Sequence, residues 1–219
     1  AGRFSWFEHN VPFNFSALMN KGMERTRAEH ILFLNNDTEV IHADWLRAMH
    51  EWSRRPSTGA VGAKLLYHND IIQHAGVIIG LGGVAGHVFA GLHRDGPGYY
   101  NYINTINNYS AVTGACMMVE RRKLDAIGGW DELFTVEYND VDLCLRLRAK
   151  GWNNVYLPHV MLRHHESLTR GHPHMTRESY ALHVREVGLF KERWKEMIAD
   201  DPCYNPNLTR GGHEFEVGA

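Results

Sequence analysis

The four apolar residues Ile31, Leu32, Phe33 and Leu34 run without interruption and stop abruptly at Asn35, Asn36 and Asp37. Such a run reads as a short strand covered on both faces, and the change to two amides and a carboxylate marks its carboxyl end. Helices must supply the cover. Residues 15–27 read as one, with Ser16 as N-cap and a basic last turn. Residues 43–54 place Trp45, Leu46, Met49 and Trp52 on an apolar stripe that Pro56 and Gly59 close before a second strand, AVGAKLL. Helix, strand, helix, strand predicts an α/β sandwich with a mostly parallel sheet, whose ligands gather beyond the carboxyl ends of the strands.

Further along, residues 68–110 are rich in Gly, Asn and Tyr and read as an insertion of short strands and loops, the kind of region that often recognises a ligand. Residues 111–120 are strand-like, and 121–127 form a short helix stopped by Gly128 and Gly129. A helix over 141–150 ends with Gly151 in the C′ position. The strand NVYLP leads through VMLRHH into a polar loop over 164–174; an amphipathic helix spans 177–198, and residues 201–212 are turn-rich. We expect a catalytic domain over 1–175, with 176–219 a helix and extended tail packed on it. Gly80, Gly82 and Ala85 match a GxGxxA pattern, but the Gly-rich continuation cannot form a phosphate-binding helix and no acidic residue follows about 20 positions on. A Gly-rich hairpin or acceptor loop suits the segment better.

A formal charge of −2 supplies no basic field and argues against a nucleic-acid partner. Three cysteines, far apart and without CxxC spacing, fit a reducing compartment, and no leader or membrane-spanning run is read. The expectation is a cytoplasmic protein, with peripheral attachment to the inner membrane left open.

Taken alone, Asp37 with Asn35 and Asn36 fits a site for a hard cation and a diphosphate as well as it fits an Asx-turn or helix cap. Glu137, Asp140 and Asp142 flank a helix start, where the dipole and free N–H groups would keep a carboxylate ionised for general-base work. Asp140 could equally be a cap. Asp142 is assigned to a surface pair with Arg146 at i+4. The loop HHESLTRGH gathers His164, His165, Ser167, Thr169 and Arg170, groups that complete a cation's shell or bind phosphate, while a zinc set of His164, His165, His172 and His174 lacks an HExxH frame.

In one order, FNFSALMNKG, ILFLNNDTEVI, IQHAGVIIGLGGVAGH, TGACMMVERR, GGWDE, NDVDLCLRLRAKGW, HHESLTRG and DPCYNPNL resemble the family 2 inverting glycosyltransferases of bacterial polysaccharide and O-antigen assembly. The resemblance implies the GT-A fold of nucleotide-diphospho-sugar transferases: an α/β, Rossmann-like mixed sheet flanked by helices. It implies Mn²⁺ or Mg²⁺ held by Asp37 and His164, with His164 preferred to His165, and Asp140 as base, the second residue of a pair that reads Asn139-Asp140 here. It further implies donor or phosphate binding by Asn35, Asn36, Asp37, Ser167 and Arg170, and acceptor contacts by Gly114, Asp131 and Glu132. The partners implied are a UDP- or dTDP-sugar donor and a glycan or lipid-linked acceptor. The family's nucleotide-binding strands have no counterpart before residue 10, which raises two further expectations: a homodimer through an open strand edge, or a non-catalytic unit that binds acceptor glycan or a partner chain.

Overall fold

The computed structural model describes residues 4–165, 176–211 and 215–217. In chain order the elements are α1 (Phe15–Glu24), β1 (His30–Leu34), β2 (Thr38–Val40), α2 (Trp45–Ser53), β3 (Thr58–Leu66), β4 (Ile72–His74), β5 (Val77–Ile79), β6 (Ala85–His87), β7 (Asn107–Tyr109), β8 (Cys116–Glu120), α3 (Arg121–Ala126), α4 (Asn139–Ala149), β9 (Asn153–His164), α5 (Arg177–Arg193) and α6 (Lys195–Ala199). The main sheet runs β1-β8-β3-β9-β2, with β4 added beside β3 and β7 beside β9. β5 and β6 form a separate hairpin.

The sheet corrects the mostly parallel expectation. Among the described strands only β3 and β9 pair in parallel; every other pair is antiparallel. The helix α2 makes no crossover that could fix a parallel neighbour, and the chain returns from β3 to β8 through the hairpins and turns of the insertion. Such links reverse direction freely, whereas a parallel pair demands a long crossover.

Both faces of the sheet are covered. On β8, Cys116 and Met118 join Met49 of α2 in one cluster, while Met117 and Val119 join Phe33, Val141, Leu145 and Phe190 in the other. The period of two thereby feeds alternate residues to opposite helical layers, and each side chain fully buried this way contributes about 1.5–3 kcal/mol. A third cluster, with Ile72, Ile78, Phe89, Tyr109 and Tyr204, fastens the insertion to the tail.

Local details depart from expectation where long-range contacts decide them. The cap of α1 is Asn14, whose Oδ1 accepts from the Ala17 N–H at 3.0 Å; Ser16 is buried and its hydroxyl donates to the Phe134 carbonyl at 2.6 Å. Leu46 is half exposed rather than part of a buried stripe. The strand expected over 111–120 begins only at Cys116, because residues 111–115 turn to meet both Val77 and the start of α4. The helix expected over 177–198 breaks at Trp194, whose indole N–H donates to Asp142. In the tail, buried Asp201 accepts from the Ile79 N–H at 2.6 Å, the Ser110 hydroxyl at 2.5 Å and the Cys203 N–H at 2.8 Å.

Asp142 does pair with Arg146, at 2.7 Å, but it does so in the interior, not on a surface: its side chain is fully buried and also accepts from Arg193 at 2.8 Å and Trp194 at 3.0 Å. Two helices far apart in sequence are thus tied through one carboxylate. Removing a member of a buried pair strands the other charges, so Asp142→Ala is expected to cost about 3–5 kcal/mol in urea denaturation. Lys21→Ala, which removes only the exposed pair with Glu24, should stay within about 1 kcal/mol of wild type.

Candidate functional site

Residues 35–37 carry the chain from the end of β1, paired with β8, to β2, paired with the end of β9. The Asn35 N–H donates to the Ala115 carbonyl at 2.9 Å and the His165 N–H to the Asp37 carbonyl at 2.9 Å, so backbone bonds fix the turn at both ends. This register sets His164 opposite Thr38. Its Nε2 lies 3.1 Å from Asp37 Oδ1 and 3.2 Å from the Asn35 amide. His165, the next residue, turns instead towards Glu39, at 3.5 Å.

Asp37 Oδ1 is buried and lacks a hydrogen-bond donor. A buried carboxylate oxygen in that condition costs on the order of 1–3 kcal/mol or more. One carboxylate and one imidazole nitrogen converging on that spot make a donor set that a divalent cation would fit, with oxygen-rich ligands completing the shell. Among the described residues no third His, Cys, Asp or Glu joins them.

Asp140 lies in the first turn of α4, behind the cap Tyr138. Its Oδ2 accepts from the Gly114 N–H and its Oδ1 from the Val141 N–H, each at 2.8 Å. Two backbone donors orient the carboxylate and leave each oxygen further lone-pair capacity. A Cβ on Gly114 would stand 3.2 Å from the Trp130 ring and 3.3 Å from Asp140 Cβ, so any other residue would press on both and shift them by a few tenths of an ångström. Tyr138 holds a left-handed backbone, φ 57°, a conformation that costs a non-glycine residue on the order of 1–3 kcal/mol. Packing holds it there: its ring lies 5.0 Å from Phe190, and buried Glu186 accepts from the N–H groups of Thr135, Val136 and Glu137 at 2.6, 3.2 and 2.7 Å.

The two halves share one segment. Ala115 holds Asn35, Gly114 holds Asp140, and the Thr113 N–H reaches His74 Nε2 at 3.4 Å. His74 is fully buried; burial, and then His87 and His164, hold it well below the usual histidine range, so it stays neutral and one ring nitrogen can accept. Its neighbour Gln73 contacts His164 Nδ1 at 2.6 Å. Tyr138, two positions before Asp140, lines a cleft of about 310 Å³ with Leu81, Val84, Ala85, Gly86 and Arg210.

The structure therefore brings Asn35, Asp37 and His164 together and, across Thr113 to Ala115, connects them to Asp140. Asn36 is exposed beside them. Asp131 and Glu132 are committed elsewhere: Asp131 pairs with Arg193 at 2.6 Å and Glu132 accepts from Asn20 at 2.9 Å. Ser167 and Arg170 lie outside the described residues, as do His172 and His174. Sequence reasoning passed over Gln73, His74 and Glu186. The first two stood inside a quoted motif, IQHAG, without a partner in view; Glu186 is one more acid on a helix, and nothing local distinguishes it.

The family model described as "Glycosyltransferase like family 2" matches residues 13–188. The chain is 48% identical over 212 residues to the uncharacterized protein y4gI of Sinorhizobium fredii, covering 95% of this chain and 23% of that protein. It is 38% identical over 202 residues to the O-antigen biosynthesis protein RfbC of Myxococcus xanthus, covering 90% of this chain and 15% of that one. The chain thus spans less than a quarter of the curated relatives' lengths. Its fold superposes on GalNAc-T7, solved with UDP, GalNAc and Mn²⁺, with a TM-score of 0.62 and 12% identity over 89% of this chain and 38% of that one.

If Glu186 presents the Asp140 turn, Glu186→Gln should loosen it by replacing an acceptor oxygen with a donor. Charge-assisted bonds of about 1.5–3 kcal/mol predict that the amides of residues 135–137 exchange with solvent about 10- to 100-fold faster. Amide hydrogen exchange measures this directly, and unchanged rates would show the clamp to be unimportant.

Proposed function

The chain belongs to glycosyltransferase-like family 2, and we propose that it moves a sugar from a nucleotide-diphospho-sugar, a UDP- or dTDP-sugar, to a glycan or lipid-linked acceptor with inversion at the anomeric carbon. The observation that carries this reading is the pairing of an under-satisfied Asp37–His164 couple with a backbone-oriented Asp140, joined through residues 113–115.

Asp140 accepts the proton of the attacking hydroxyl while that oxygen bonds to the anomeric carbon, and the bond to the diphosphate oxygen breaks with its electron pair leaving on phosphate. Asp37 and His164 would hold Mn²⁺ or Mg²⁺, which when bound neutralises charge that develops on the departing diphosphate. Asn35 and Asn36 offer amides for ribose or sugar hydroxyls. Ser167 and Arg170 are proposed to bind phosphate oxygens, a role in keeping with their chemistry. Gly114, Asp131 and Glu132 act on the acceptor side, the latter two by holding the loop between α3 and α4. No helix among the described residues is long and apolar enough to cross a membrane; a cytoplasmic setting, with peripheral access to lipid-linked acceptors, is the accompanying proposal.

The competing reading is a unit that binds acceptor glycan or a partner chain without turnover. It draws on β1, which among the described residues pairs with β8 alone and forms one end of the sheet, and on the fraction of its relatives that the chain spans. Calorimetry with UDP- and dTDP-sugars separates the two: Mn²⁺-dependent binding favours the transferase, and its absence favours the binding unit. For the transferase, Asp140→Asn should lower kcat about 10²- to 10⁴-fold with little change in donor affinity. Wild-type turnover in that variant would remove Asp140 from the role of base.

A further inference from the structure

The structure assigns to Gln73 the role of a positioning residue that locks the tautomer of His164 so that Nε2, the nitrogen beside Asp37, carries no hydrogen. This rests on the cation reading of the Asp37–His164 couple and names how this chain prepares it. Gln73 Oε1 lies 2.6 Å from His164 Nδ1, and the contact is buried. An amide oxygen only accepts, so Nδ1 must carry the hydrogen. In the neutral ring Nε2 is then bare. The Asn35 amide, 3.2 Å away, meets Nε2 as a donor, which agrees with the same tautomer.

That assignment gives the site its character. Asp37 Oδ1, 3.1 Å from Nε2 and without a hydrogen-bond donor, lies beside a ring nitrogen that carries no hydrogen for it. Two acceptors this close repel unless a positive centre sits beside both. The contact makes no hydrogen bond, so the pair does not satisfy itself. Gln73 thus keeps the proton off Nε2, the nitrogen beside Asp37. The element that carries it is suited to this: β4 joins the far end of β3, with Leu66 opposite Ile72 and a register shift beside it, and the bend brings Gln73 to His164 across 91 residues of sequence. A hydrogen bond from a ligand's other ring nitrogen fixes ring orientation and raises basicity, and losing it typically costs 10- to 100-fold in metal affinity.

The test uses the full chain, free of metal, at a pH where histidines are neutral. Long-range ¹H–¹⁵N correlation reads which nitrogen of His164 is protonated, its signals identified by their loss in His164→Gln. Titration of Mn²⁺ with and without UDP, followed by the electron paramagnetic resonance of the free ion, reads affinity. The expected results are Nδ1–H in wild type, a shift towards Nε2–H in Gln73→Leu, and about 10- to 100-fold weaker Mn²⁺ binding in that variant. Gln73→Glu, which keeps an acceptor, should retain the wild-type tautomer and affinity, and thermal melts confirm that both variants are folded. Nε2–H in the wild type, or Mn²⁺ binding equal in wild type and Gln73→Leu, overturns the assignment to Gln73. A wild type with Nδ1–H that takes up no Mn²⁺ overturns the cation reading of the site itself, and with it the purpose given to Gln73.

Discussion

Every residue of β3 is shielded from water: all nine of its positions are buried. A strand in that condition needs a neighbour on each edge and a layer on each face, and the rest of the protein meets those four demands. β8 and β9 flank it, α2 covers one face, and α1, α3, α4 and α5 cover the other. Even its one charge obeys the rule, since buried Lys64 extends its ammonium to the Arg94 carbonyl at 3.1 Å and the Asn104 side chain at 3.3 Å, and burial pushes its pKa down to about 8. The flanking strands are therefore rigidly placed. Residues 113–115 lead into β8 and His164 closes β9, so both halves of the candidate site inherit their positions from β3.

What the sequence discloses follows from how local each cause is. The strand at 31–34 and its polar end are legible because an apolar run and its termination are written in consecutive residues; its expected cover on both faces is not met, since β1 ends the sheet and Leu34 is exposed. Strand direction is not, since it depends on hairpins of the insertion that carry no periodicity. Asn14 and Ser16 are both good caps, and what separates them is the Phe134 carbonyl, 118 residues away, which claims the serine. Asp142 reads as half of a surface pair until α5 folds over it. For the site, Asp37, Asp140 and His164 could be picked out by the order of motifs around them, whereas Gln73 and Glu186 act only through partners 91 and 49 to 51 positions distant.

The presentation of Asp140 shows how stability and chemistry are coupled here. A left-handed tyrosine, a glycine with little room for a methyl group and a buried glutamate all converge on one turn of helix. Each is unfavourable or neutral alone. They persist because α5 packs across α4 through Phe190 and the Asp142 network, so a helix distant in sequence decides where the Asp140 carboxylate points.

The Asp201 carboxylate, gripping Ile79, Ser110 and Cys203 at once, gives the tail a part in events far from it. Together with the Gly82 N–H, which donates to the Arg210 carbonyl at 2.9 Å, it sets where the β5–β6 hairpin stands, and that hairpin forms one wall of the cleft beside Tyr138. The opening is therefore hinged on the last stretch of the chain. Changes there would widen or narrow it while leaving every residue around Asp37 and Asp140 untouched, so the shape of the opening and the placement of those two carboxylates vary independently of one another.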